Sequence, residues 1–527
     1  VQANISSEEP DSMLCWKGSV CLSACLGFAT AFNPAAAQTL GKGIEPALKN
    51  LESYITTSMA TTRVPGLSVA VVYHDQVVFL KGYGVRKIGE PGAVDADTIF
   101  ELASFSKPIA TTVVAELVGD GKVSWDSRIT ELDPTFQLSD PEITKQVTVR
   151  DLLSHRSTLP NDAGDTLEAL GYDRPEIIEK MRMVPLKGKF RETYEYSNFG
   201  LTEGVLAAVR PLNQQWEDVA EERLYRKLGM TRTSSRYSDY IARPNRAALH
   251  YLDASGSFRN WLVREADAES PAGGVNSTAR DLAQWLRLQL AGGSYNGKQI
   301  VDRTALEETH NPQVCQAAVD TPQGLTCPAK KYYGLGWDVA YRPTGEKMLS
   351  HSGAFMSGAA TTVYMIPSLD IGILVLTNAA PVGLPEAVAL NFLDMFEYGA
   401  PKGDYIPMVT PVFNGLRDSV LQSSDDYSNR KPPAVPLSGP QFLTLLGTYT
   451  NPYYGNLEIE EQQGKLILRL PPLGTYYELS YWEGGKWTYY IANEVSGAAR
   501  RAVEFSGGTV TVENLKMAYS PVFTKVQ

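Results

Sequence analysis

Two strand signals near residue 70 and two more near residue 370 constrain the fold of this chain more than any other feature. Leu67–Tyr73 and Val77–Leu80 are apolar, β-branched runs parted by His74 and Asp75, the pattern of a hairpin. Ala359–Ile366 and Ile371–Leu376 repeat it around Pro367-Ser-Leu-Asp370. Helical and polar stretches fill the interval to about Leu290, and Ile44–Thr61 ahead of it reads as an amphipathic helix. Strands at both ends of a helical region predict one α/β domain whose sheet is completed by the C-terminal strands.

The texture changes near residue 400. Residues 401–440, which include SSDDYSNRKPPAVPLSGP, read as a linker. Residues 441–527 show short alternating runs split by Gly and Asn, which predicts a small all-β domain, a barrel or a sandwich. The remaining unit, residues 38–400, holds the α/β domain.

Residues 1–37 read as an address. From Met13 there is one Lys at position 17, an apolar run to about Phe32, then Ala35-Ala36-Ala37 before Gln38. That order is the pattern of a secretory signal with an A-x-A cleavage site, with Met13 as the translation start because residues 1–12 are acidic. The expectation is an exported protein, periplasmic or secreted. Leu22-Ser-Ala-Cys25 also resembles a lipoprotein processing site, ranked second because the apolar stretch before Cys25 is short. No later run reaches the roughly 18 apolar residues of a transmembrane span. A net charge of -11 argues against nucleic acid as a partner. Of the five cysteines, Cys315 and Cys327 lie beyond the signal, and in an exported protein they suggest a disulfide, against the alternative of two free thiols. The five histidines (74, 155, 250, 310 and 351) lack ligand spacing, so a zinc site is not expected.

The chemistry centres on Ser104-Phe-Ser-Lys107. Ile109, Val113, Val114, Leu117 and Val118 keep helical spacing, and Gly119-Asp-Gly121 stops the helix. Pro108 is tolerable only in the first turn, so Ser104 stands at the helix start. Three residues apart, Ser104 and Lys107 project from one face. A serine hydroxyl becomes a nucleophile when a neighbouring base takes its proton, and a lysine kept neutral by desolvation can do so. A second Ser-x-x-Lys, Ser428–Lys431, runs straight into Pro432-Pro433 and cannot start a buried helix. Tyr196-Ser-Asn198 supplies a phenol for proton relay and an amide to hold Lys107 or a substrate carbonyl; its decoy, Tyr427-Ser-Asn429, has no apolar helix behind it. His351-Ser352-Gly353 opens the late hairpin, where a bare Gly lets a substrate backbone approach. The backbone N–H of Ala354 would join that of Ser104 as an oxyanion hole.

Ser-x-x-Lys, Tyr-x-Asn and His-x-Gly, in that order from Ser104 to Gly353, resemble the penicillin-recognising serine hydrolase superfamily. The nearest part of it is the class C β-lactamase-like group with its D-amino-acid peptidases, carboxypeptidases and family VIII esterases. Val64–Val69, Asp151–His155, Leu228–Thr231 and Ser270–Val275 resemble it as well, so the likeness covers about residues 44–400. Gly447–Pro452 resembles the lipocalin-like domain that some of these proteins append. The resemblance implies an α/β, β-lactamase/transpeptidase-like domain, an antiparallel sheet flanked by helices with a helical subdomain, followed by a small all-β lipocalin-like barrel. It implies that Ser104 forms an acyl-enzyme, that Lys107 and Tyr196 act as base and acid, that Asn198 orients substrate, and that the mechanism needs no metal or cofactor. His351, Ser352 and Gly353 would form the strand edge along which substrate lies.

One departure matters: relatives of the β-lactamase and carboxypeptidase kind carry Lys where this chain has His351. A histidine only partly charged near neutral pH should anchor a carboxylate weakly. The expected substrate is therefore a small-molecule ester, amide or peptide, cleaved by an esterase or a D-amino-acid or cell-wall peptidase with at most weak β-lactamase activity. Two alternatives stand beside this. An α/β-hydrolase is disfavoured because no Gly-x-Ser-x-Gly occurs. A non-catalytic penicillin-binding or cell-wall-peptide sensor is disfavoured because Lys107 and Tyr196 are both kept.

Overall fold

The structure is a computed structural model that describes residues 42–253, 255–316, 327, 331–422, 427, 428, 430, 442–493 and 497–526. The expected signal, residues 1–37, lies outside the described residues.

The expected hairpins are the core of one antiparallel sheet. Its eight strands are β1 (Gly66–Tyr73), β2 (Gln76–Gly84), β3 (Val314–Cys315), β4 (Lys331–Tyr333), β5 (Asp338–Tyr341), β6 (Lys347–Phe355), β7 (Ala359–Ile366) and β8 (Ile371–Thr377). They lie in the order β2-β1-β8-β7-β6-β5-β4-β3. β1 pairs with β8 from Leu67↔Thr377 to Tyr73↔Ile371, so the chain's early strand is closed by its late one. Leu67, Val69 and Val71 face one core while Ala70 and Val72 face another. A strand covered on both faces must be apolar at every position, which is why β1 reads as a continuous run without alternation.

Helices cover both faces. On one side α1 (Ile44–Thr62) buries Ala47, Leu51 and Ile55 at four-residue spacing, and Arg63 ends it in the left-handed conformation. On the other side α2 (Ser106–Gly119) is enclosed almost all round. It is flanked by the helical subdomain, which includes α3 (Asp165–Leu170) and α4 (Asn198–Val209), and by α5 (Ala279–Leu290). α6 (Leu384–Tyr398) returns to pack beside α1. A disulfide joins Cys315 in β3 to Cys327, whose Cα atoms are 5.5 Å apart.

The segment read as a linker needs one correction. Tyr405–Gln422 form a helix, α7, which sets Tyr405, Val409 and Phe413 against Ala387 of α6. Four-residue spacing of apolar side chains outweighs Pro411 inside the helix, because tertiary burial compensates a lost backbone hydrogen bond. Beyond it, eight strands from Gly447–Asn451 to Val522–Lys525 form a closed barrel. Closure comes from Tyr449↔Lys525 and Thr450↔Thr524, which leaves no exposed sheet edge. The barrel rests on the helical subdomain: Tyr172 Oη donates to Tyr454 O at 2.9 Å and Leu473 N donates to Leu170 O at 3.2 Å. Among the described residues, no helix is long and apolar enough to cross a membrane.

Candidate active site

Ser104 sits on a tight turn whose neighbours are anchored. Ala103–Phe105 form one 3-10 turn that runs into α2, with Ala103 at φ 49°. Ala103 and Phe105 are fully buried, and Phe105 meets Trp285 edge-on at 5.6 Å. Burial of both flanking side chains leaves Ser104 as the half-exposed residue of the turn. The turn is pinned from behind by Leu102 N donating to Val275 O at 3.0 Å and by Val275 N donating to Ser106 Oγ at 3.0 Å.

Lys107, one helical turn on, is wholly buried. Its Nζ lies 3.0 Å from Ser104 Oγ, 2.7 Å from Asn198 Oδ1 and 3.0 Å from Ala272 O. The last two oxygens only accept hydrogen bonds. They take two N–H groups of the amine and leave a third tetrahedral direction toward Ser104 Oγ. Tyr196 packs its ring 4.6 Å from the same nitrogen. Ser104, Lys107, Tyr196 and Asn198, read from two separate stretches of sequence, are therefore brought together.

His155 fixes Tyr196 from two directions. Its carbonyl accepts from Glu195 N at 2.8 Å and its Nδ1 accepts from Ser197 N at 3.1 Å, so the residues either side of Tyr196 are tied to one histidine. The two rings lie 4.4 Å apart. Burial, with Lys107 and His351 nearby, holds the imidazole well below its usual pKa, so Nδ1 stays an acceptor. His155 falls in a stretch that resembles the family, but its role was not read from sequence. Its role is visible only in the structure, where its backbone lies at φ 58°, uncommon for a residue other than Gly.

In the His351-Ser352-Gly353 strand, the partial charge expected of His351 needs correction. His351 is buried, with Nδ1 2.8 Å from Ser352 O and Nε2 2.9 Å from Tyr333 Oη. A carbonyl only accepts, so the hydrogen-bond pattern assigns the proton to Nδ1 and leaves Nε2 to accept from Tyr333. Burial, reinforced by Lys107, pulls the pKa down to about 3, so this imidazole is neutral and not partly charged at pH 7. Ser352 alternates to the opposite face of β6, where its Oγ lies 2.9 Å from Thr362 Oγ1. A Cβ on Gly353 would fall 2.1 Å from Leu102 O and 2.7 Å from Phe105 N. What approaches that glycine closely is the chain's own Ser104 turn. Pairing of β6 with β5 ends at Ser350, so the edge of His351–Phe355 has no further β5 partner among the described residues. Tyr333, which orients His351, was missed because no motif surrounds it; its ring also lies 4.8 Å from that of His155.

An acidic flank borders Asn198, whose Nδ2 donates to Asp165 Oδ1 at 3.4 Å. Burial, with Glu269, Glu168 and Asp162 nearby, raises the Asp165 carboxyl well above its usual range. Burial likewise lifts Glu168 to about 8, though Arg264 bridges it to Glu269. Among the described residues, no three His, Cys, Asp or Glu side chains gather closely enough to hold a metal ion.

An antiparallel sheet flanked by helices, with a serine on a helix-leading turn beside a buried lysine, is the architecture of the β-lactamase/transpeptidase-like fold. The Beta-lactamase family profile matches residues 51–392, and this chain belongs to that family. It is similar to an unguisins hydrolase of Aspergillus violaceofuscus, 24% identical over 79% of this chain and 77% of that protein. It is equally similar to Beta-lactamase-like protein 2 of Dictyostelium discoideum, 24% identical over 80% of this chain and 75% of that one. The octameric penicillin-binding protein homologue from Pyrococcus abyssi shares the fold at a TM-score of 0.57, with 20% identity over 90% of this chain and 100% of that one.

Proposed function

We propose that this protein is a serine hydrolase that cleaves esters or amides, peptides of the D-aminoacyl kind included, through an acyl-enzyme on Ser104. The observation that carries this reading is the buried amine of Lys107, 3.0 Å from Ser104 Oγ with its other directions filled by Asn198 and Ala272. Ser104 Oγ bonds to the substrate carbonyl carbon and yields its proton to Lys107 Nζ. Charge gathers on the carbonyl oxygen, for which the N–H groups of Ser104 and Ala354 are the donors in this reading. Tyr196, packed on Lys107, hands a proton to the leaving oxygen or nitrogen as its bond to carbon breaks. Water then reverses the sequence: it gives a proton to the same pair, bonds to the carbonyl carbon, and Ser104 leaves with its proton restored.

Substrate class follows from His351. A neutral imidazole offers no fixed charge to a carboxylate, which favours esters and amides over penicillins. The relative named for hydrolysing unguisins supports a hydrolytic role. An oxidising, extracytoplasmic location belongs to the same reading and is supported by the Cys315–Cys327 bridge. The test compares p-nitrophenyl butyrate, D-alanyl p-nitroanilide and a chromogenic cephalosporin on one preparation. The expected kcat/KM for the ester or the amide exceeds that for the cephalosporin by about tenfold or more, a barrier difference of about 1.4 kcal/mol. A cephalosporin preferred over both would overturn the substrate class.

A further inference from the structure

The C-terminal barrel touches the hydrolase domain at a point that leads to the nucleophile. Tyr453, in the turn between the first two barrel strands, is 1% exposed and stacks on Tyr519 at 5.1 Å. Its Oη accepts a hydrogen bond from Gly164 N at 3.0 Å. Gly164 is wedged in place at φ 95°, since a Cβ there would meet the Phe199 ring at 2.4 Å and Ile177 at 2.8 Å. That N–H is buried, and with no acceptor it would disfavour this position of the loop. The next residue, Asp165, opens α3 and faces the amide of Asn198 at 3.4 Å.

Asn198 has one donor end and one acceptor end, and they are not interchangeable here. Its oxygen must face Lys107, 2.7 Å away, because an NH2 group turned toward the lysine amine would repel its N–H groups. On the other side of the amide, Asp165 Oδ1 accepts from Asn198 Nδ2 and so supports that orientation. We propose that the barrel holds the Ser104–Lys107 pair in working geometry, with Tyr453 as a positioning residue. The connection runs from Tyr453 to Gly164, along the chain to Asp165, then by hydrogen bonds to Asn198, Lys107 and Ser104. The barrel is then a part of the active site's support, and its docking turn, Asn451–Gly455, is the element that delivers it.

This inference rests on the acyl-enzyme reading above, so its test includes a readout independent of turnover. Tyr453→Phe in the full chain removes one hydroxyl and keeps the ring that stacks on Tyr519. Tyr172→Phe is the control, because it removes another docking hydrogen bond, to Tyr454 O, that meets the C-terminal end of α3 and not Gly164. The expected result is that Tyr453→Phe slows labelling of Ser104 by a fluorophosphonate about tenfold, the scale of effect that slight misplacement of reacting groups produces. Tyr172→Phe should stay within about twofold of wild type at a similar thermal midpoint. In hydrogen exchange, the peptides holding Gly164 and Asn198 should exchange faster in Tyr453→Phe and remain unchanged in Tyr172→Phe. Equal exchange in both variants and wild type would overturn the inference, as would equal slowing of labelling by both variants. Failure of wild type to label at Ser104 would instead overturn the acyl-enzyme reading, and the exchange result would still decide the role of Tyr453.

Discussion

At the scale of single residues, the site is a set of polar groups whose protonation and direction are fixed by burial. Lys107 is fully buried, and Asn198 Oδ1 and Ala272 O each lie within hydrogen-bond distance of its Nζ. His351 and His155 are neutral for the same reason, desolvation, and each uses a ring nitrogen as an acceptor. His155 gives a prediction of its own. His155→Ala removes the acceptor for Ser197 N and the ring that stacks on Tyr196, and should lower kcat by about 10- to 100-fold. His155→Asn offers an oxygen near the place of Nδ1 and tolerates a positive φ, so it should recover most of that loss. Steady-state kinetics beside thermal midpoints check this. If Asn is no better than Ala at an equal midpoint, the clamp on Tyr196 is not what His155 provides.

Secondary-structure elements bring these residues together, and here the sequence was legible to different depths. The hairpins at Leu67–Leu80 and Ala359–Leu376 were readable because strands buried on both faces announce themselves as apolar runs. The Ser104 motif was readable because Pro108 and the helical spacing after it locate a helix start. Three things were not readable. Tyr333 acts through a partner eighteen residues on and belongs to no local pattern. The neutrality of His351 depends on burial, which spacing does not report. Gly353 was read as making room for substrate, whereas it makes room for the nucleophile turn, at Leu102 and Phe105, far away in the chain. Gly353→Ala should therefore displace Ser104, lowering kcat/KM by about 100-fold and stability by about 1–3 kcal/mol. A variant with near wild-type kinetics would show that β6 and the Ser104 turn can separate without consequence.

The whole molecule carries two opposed sets of buried ionisable groups, and they set its response to pH. His310 and His351 are pulled from 6.5 to about 3, and His155 moves the same way. Each contributes stability in full above pH 6.5 and loses it as pH falls toward the folded value. Glu168 and Glu203 are raised from 4.5 to about 8 and Glu386 to about 7, each chiefly by burial. Their contribution is complete below pH 4.5 and is lost as pH rises through the folded value. The two sets oppose one another between pH 4.5 and 6.5, and above pH 6.5 only the raised carboxyls still act, so the thermal midpoint should decline as pH rises from 6.5 to 8. A midpoint that climbs from pH 6.5 to 8 would contradict this balance. The α7 helix and the docking of the barrel, by contrast, were hidden from a reading of texture, because both depend on contacts with distant segments. The central claim concerns Ser104, and mass spectrometry of the fluorophosphonate-treated protein tests it most directly. The peptide holding Ser104 should gain the probe mass, and Lys107→Met should slow that labelling by about 100-fold or more. An adduct on another serine, or labelling of Ser104 at an unchanged rate in Lys107→Met, would contradict the account.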